Sequence, residues 1–126
     1  SVEEKTVLII KDGEKIAMRK RPNKGLLAGL YELPNVEGQL SEDEVLALVK
    51  SYGLAPLFIE RLEDSKHIFT HKEWHMTGFA VRVAELEGET DGMLFVERKT
   101  VEKEYTIPSA FAAYAKHIDV VLGNKR

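Results

Sequence analysis

Three histidines, His67, His71 and His75, recur at intervals of four in a stretch that also carries Phe69, Thr70 and Trp74. On a helix this spacing would align three imidazoles on one face and let them grip a metal. The neighbours argue otherwise: Ile68, Phe69, Thr70, Trp74 and Thr77 favour strand, where four residues span about 13 Å and separate the ligands. No fourth ligand accompanies them, and no metal ligand is assigned. The stretch then reads either as polar positions on a strand–loop–strand or as a loop that reaches a ligand.

A second segment invites phosphate. Lys20-Arg21-Pro22-Asn23-Lys24-Gly25-Leu26-Leu27-Ala28-Gly29 leads with cations into an apolar loop bracketed by glycines. It is neither Gly-x-Gly-x-x-Gly nor a P-loop, because no Lys-Ser/Thr follows the second glycine. Lys20, Arg21 and Lys24 are the candidate phosphate contacts. Covalent catalysis has little support: the chain has no Cys, and Ser41 and Ser109 sit at helix starts outside any Gly-x-Ser-x-Gly elbow. No catalytic residue is assigned.

The elements that must position these segments are legible from periodicity. Thr6–Ile10 is β-branched and continuously apolar, as in a strand buried on both faces. Asp12-Gly13 signals a hairpin to Lys15–Arg19, which alternates. Pro22, Gly25, Gly29 and Pro34 make residues 20–35 a structured loop with a short strand at Leu30–Leu33. Ser41-x-x-Glu44 is a capping box, Val45, Leu46, Leu48, Val49 and Tyr52 follow a 3.6 period, and Gly53 closes that helix. Strands are predicted at Leu57–Leu62, His67–Phe69, Trp74–Leu86 and Gly92–Glu97, with a bulge or bend at Thr77-Gly78. Pro108 opens a last helix through Ala110, Phe111, Tyr114, Ile118 and Val121, ended by Gly123. The pattern is an α+β domain.

With 126 residues, 44% hydrophobic and 31% charged, the chain is one globular domain's worth. Residues 1–4 read as a linker or remnant, 5–123 as the domain and 124–126 as a tail. No apolar run approaches the length of a membrane span, so no membrane partner is expected. Ser1–Lys5 lacks the features of a signal peptide, and zero Cys excludes disulfide and thiolate chemistry, which makes a cytoplasmic location the default. Net charge is −3, yet residues 1–26 hold seven Lys/Arg against four Asp/Glu. That local excess can meet phosphate or simply keep the surface soluble.

Lys20-Arg21-Pro22…Gly25-Leu26-Leu27-Ala28-Gly29-Leu30-Tyr31-Glu32-Leu33-Pro34, followed by a helix ending at Gly53-Leu54, resembles the Nudix fold. More narrowly, His67-x-Phe69-Thr70-His71-x-x-Trp74 and Tyr105-Thr106-Ile107-Pro108-Ser109-Ala110-Phe111 resemble the C-terminal domain of MutY-type adenine DNA glycosylases. The likeness runs over about residues 5 to 118. It implies a Nudix-like mixed sheet flanked by helices. An active Nudix hydrolase holds Mg²⁺ with helical glutamates. Aligned on Gly53-Leu54, this chain has Leu46 and Ala47 in place of Arg-Glu, and Lys50 and Ser51 in place of Glu-Glu. Hard divalent cations need clustered carboxylates, so the resemblance implies a retained scaffold without hydrolysis. Glu42, Asp43 and Glu44 are first-turn acids that suit the helix dipole.

The family implies recognition of 8-oxoguanine opposite the adenine to be excised, with double-stranded DNA carrying that mispair as partner. A Phe-Ser-His loop touches the lesion in that family, and this chain offers Phe69-Thr70-His71, with Thr70 supplying the hydroxyl in place of Ser. The lesion carries a donor at N7, which a hydroxyl at Thr70 can accept; stranding such a group costs about 1–3 kcal/mol. The Thr70 methyl restricts χ1, which preorganises the oxygen or crowds the base. Phe69 is either an apolar wedge or a core residue at a strand end. His71 is a phosphate or base-edge partner. The parent enzyme's catalytic N-terminal domain, the other implied partner, holds a 4Fe–4S cluster that a Cys-free chain cannot, so no cofactor is expected in this chain. Two rivals stand beside this reading. One is a divergent Nudix pyrophosphohydrolase acting on nucleoside diphosphate derivatives; the other is a protein-interaction domain using the apolar loop around Leu26–Leu30.

Overall fold

The computed structural model describes residues 1–86, 90, 92–105 and 107–118. Among these, eight strands form one mixed sheet: β1 Val2–Asp12, β2 Lys15–Lys20, β3 Tyr31–Glu32, β4 Asn35–Glu37, β5 Pro56–Arg61, β6 Ser65–Ile68, β7 Glu73–Val83 and β8 Leu94–Glu97. Two helices, α1 Glu42–Ser51 and α2 Arg98–Glu104, and a 3₁₀ helix at Ser109–Ile118 complete the α+β architecture. The backbone of the sheet is the parallel pair β1/β7; every other pairing is antiparallel.

The continuous apolarity of β1 has the expected cause. Leu8 and Ile10 join Val45, Val49, Phe79 and Val81 beneath α1. Val7 and Ile9 join Met18, Trp74, Met76, Phe111 and Tyr114 on the opposite face. A central strand with a core on each side has no polar face to show. The α1 start is the predicted capping box: Ser41 N–H donates to Glu44 Oε1 at 2.9 Å, and Glu44 N–H donates to Ser41 Oγ at 3.2 Å.

Several expectations change. β1 begins at Val2, so Val2, Glu3 and Glu4, read as linker, pair with Glu73, Trp74 and His75. The bulge expected at Thr77-Gly78 is absent from the β1/β7 ladder, which runs without a slip from Val2↔Glu73 to Lys11↔Arg82. Trp74 and Met76 lie opposite Phe79, Val81 and Val83 because strict alternation serves two buried faces. The discontinuity belongs to the other neighbour, where β6 pairs with residues 73–76 and β5 with 79–83. The last helix is 3₁₀ as far as Ile118; its predicted continuation through Val121 to Gly123, the 124–126 tail and Thr106 lie outside the described residues. β4 and α2 have no counterpart in the sequence reading.

Gly78 marks where the sheet meets the 3₁₀ helix. A Cβ there would stand 2.5 Å from Tyr114 Cε1, and the ring is fully buried. Tyr114 is also anchored by its hydroxyl, which donates to the Glu63 carbonyl at 3.0 Å. Burial pushes that phenol's pKa up, which keeps it a donor. Gly78→Ala is therefore expected to cost about 1–3 kcal/mol, read as a lower denaturant midpoint at unchanged slope. An unchanged midpoint would show that Tyr114 can yield.

Candidate nucleic-acid interface

The short span between β6 and β7 is a tight turn. Phe69 N–H donates to the Lys72 carbonyl at 2.7 Å, which leaves Thr70 and His71 at the tip. Both are exposed, and among the described residues neither side chain forms a hydrogen bond or ion pair. The turn is fastened on each side. Phe69 packs edge-to-face on Trp74 with centroids 5.0 Å apart, and on His67 at 4.6 Å. Lys72 Nζ meets Glu3 Oε2 of β1 at 3.0 Å. A hydroxyl and an imidazole are thus presented to solvent on a short turn tied to both the core and a central strand.

Phe69 is accordingly not a free wedge. Its ring is half-buried against the core, so of its two sequence readings the structure favours the strand-end core residue. The Ile68 side chain beside it is the exposed apolar group.

Trp74 sits behind the turn and is the hub of the region. It is 1% exposed, tilts against Phe111 at 5.8 Å, and carries Lys5 Nζ at 4.9 Å and the Arg21 guanidinium at 5.4 Å from its ring centroid. Cations over an indole are favoured by its quadrupole. Its Nε1 is buried, with no hydrogen-bond partner among the described residues.

The three basic candidates separate. Lys20 and Lys24 are exposed. Arg21 is not: it donates to Glu32 Oε1 at 2.8 Å and to the Leu26 carbonyl at 3.0 Å, and only 16% of its side chain is exposed. The fork is completed by Arg19, which sequence reasoning passed over. Its Nε lies 3.2 Å from Glu32 Oε2, and its Nη2 donates to the Asn35 carbonyl. Glu32, alone in an apolar strand end between Tyr31 and Leu33, was the sequence signal: a lone carboxylate there needs a cation. Lys5, Arg19, Lys20, Arg21, Glu32 and Asn35 line a cleft of about 430 Å³ whose cations exceed its acids. Lys5 and Arg21 touch both this cleft and Trp74, which therefore links it to the turn.

On α1, Ala47, Lys50 and Ser51 are exposed and Leu46 is half-buried. Among the described residues no group of three or more His, Asp or Glu side chains converges to hold a metal ion. No described helix is long and apolar enough to cross a membrane.

The sheet order and the helix that ends at the Gly53 turn define a Nudix domain, and the chain belongs to that family: the Nudix domain model matches residues 6–117. Solved structures share the fold. The C-terminal domain of mouse MUTYH, crystallised in complex with human PCNA, is similar at TM-score 0.69 and 18% identity, over 94% of this chain and 91% of that one. The MutT Nudix hydrolase of Burkholderia pseudomallei is similar at 0.63 and 16%, over 96% and 98%. The Nudix domain of Shewanella oneidensis NrtR, in complex with ADP ribose, gives 0.69 at 11%, over 94% and 88%.

Proposed function

We propose that this chain is the 8-oxoguanine-recognising domain of a MutY-type adenine DNA glycosylase, a binding domain that does not itself catalyse. The observation that carries the reading is the Phe69–Lys72 turn, which offers the Thr70 hydroxyl and His71 imidazole without side-chain partners among the described residues while Phe69 packs on Trp74. The protonated N7 of the lesion is a donor from which the Thr70 hydroxyl can accept; the same hydroxyl can turn to donate to guanine N7, so backbone groups of the turn share the discrimination. Lys20 and Lys24 supply charge for the DNA backbone. Fold likeness to the mouse MUTYH domain, whose structure was solved with PCNA, supports a DNA-repair setting.

Leu46, Ala47, Lys50 and Ser51 support a binding role, because none offers a carboxylate where a Nudix hydrolase needs one. The 4Fe–4S cluster of the parent enzyme finds no thiolate in a Cys-free chain, so it belongs to the catalytic part that partners this domain. Base flipping and N-glycosidic cleavage are that part's chemistry.

The test is an amide-shift titration of the chain with duplexes differing only in 8-oxoguanine or guanine opposite adenine. Lesion-dependent shifts at 69–72 are expected. Thr70→Val should erode the preference for the lesion, by up to about tenfold. Shifts indifferent to the lesion would sink the reading. Phosphate release from nucleoside diphosphate derivatives with Mg²⁺ would install the pyrophosphohydrolase in its place.

A further inference from the structure

Presenting Thr70 requires that the turn hold still; the Ser1 ammonium donates to the His71 carbonyl at 3.3 Å, and one residue of β1 reaches the contacts at both ends of the turn. Glu3 Oε2 lies 3.0 Å from Lys72 Nζ, at the far end of the turn. Glu3 Oε1 lies 3.8 Å from Lys5 Nζ, and Lys5 covers the Trp74 ring on which Phe69, at the near end, is packed. The parallel ladder fixes this placement, because Glu3 is the direct register partner of Trp74. Beside it, the Glu73 N–H donates to the Ser1 carbonyl at 2.8 Å, which ties the strand leaving the turn to β1.

We propose that Glu3 is a positioning residue for the Phe69–Lys72 turn, setting the place of Thr70 and His71 through Lys72 on one side and the Lys5–Trp74–Phe69 stack on the other; the importance of that placement for DNA rests on the function proposed above. Electrostatics agree with the geometry. Lys72 holds the Glu3 carboxyl below the usual carboxylate range, with burial opposing and Lys5 adding to the lowering. The Glu3 and Lys72 side chains are each more than a third exposed, so the effect on global stability is small. The effect on a four-residue turn is proportionally larger, because a short turn has few other contacts to hold it.

The experiment uses Glu3→Gln, Lys72→Met and the double variant in the same chain. In the absence of DNA, the heteronuclear NOE of the Thr70, His71 and Lys72 amides is expected to fall in each single variant, with the unfolding midpoint nearly unchanged. With the paired duplexes, each single variant should lose about two- to fivefold of the lesion preference. The double variant should be no worse than the more affected single, since Glu3→Gln already removes the linkage that Lys72→Met removes. Turn amides as ordered in Glu3→Gln as in wild type would overturn the inference, as would fully additive losses. If the wild-type chain ignores the lesion while Glu3→Gln loosens the turn, the positioning role stands and the function proposed above falls.

Discussion

Glu32→Ala is expected to remove about 3–5 kcal/mol, a large share of the roughly 5–15 kcal/mol that holds a typical domain together. The carboxylate is 1% exposed and lies between two guanidinium groups, Arg19 at 3.2 Å and Arg21 at 2.8 Å. Deleting it leaves two guanidinium groups without their carboxylate, one of them only 16% exposed, and the cost is the unpaired charge more than the lost attraction. Arg19, a third exposed, can turn towards water, whereas Arg21 cannot do so without releasing the Leu26 carbonyl and the Trp74 ring. That release matters because the loop it anchors is strained. Leu27 holds φ at 56°, between Gly25 at 86° and Gly29 at 74°, a conformation that costs a side-chain-bearing residue about 1–2 kcal/mol. The loop keeps this shape while Arg21 grips Leu26, so Glu32→Ala should broaden or shift the amide signals of residues 21–30 as well as lower the denaturant midpoint. Glu32→Gln, which retains one acceptor, should fall between. A loss under about 1 kcal/mol would mean that both guanidinium groups rehydrate in place.

The same cluster shows where reading the sequence stops. The capping box of α1 was legible because its chemistry is local: Ser41 and Glu44 answer each other three residues apart. The two-sided burial of β1 was legible because a short β-branched run without alternation has no face left for water. Arg21 and Lys24 look alike in a string, however, and only the approach of Glu32 from the next strand makes one structural and leaves the other exposed. Phe69 follows the same logic. Its neighbours mark it as either wedge or core, and the packing of Trp74, five positions on, favours core. The apparent phase slip in β7 was a parity difference between two buried faces, and parity cannot reveal a second core before the 3₁₀ helix is known to supply one. α2 escaped notice because Arg98–Glu104 buries one clear apolar side chain, Val101, which is too little for a periodicity to register.

Trp74→Ala should be as damaging as loss of Glu32, at about 3–5 kcal/mol, and should also reach the turn. The indole fills the space between Phe69 and Phe111 and is the surface on which Lys5 and Arg21 lie. Removing it opens a cavity under Phe69 and leaves Lys5, 8% exposed, with a single acid at 3.8 Å. Trp74→Phe separates volume from polarity. It keeps an aromatic ring for Phe69 and the two cations, and it deletes a buried N–H that has no hydrogen-bond partner among the described residues. An unpaired buried donor costs about 1–3 kcal/mol, which offsets much of the lost indole volume, so the net change should stay under about 1.5 kcal/mol. Denaturant unfolding of the two variants measures the difference, and the amide shifts of residues 69–72 report the turn. A Phe variant as unstable as the Ala variant would mean that the N–H is engaged after all, with the Glu3 carboxylate as its natural acceptor. Glu3 would then hold the turn through Trp74 more strongly than through Lys72.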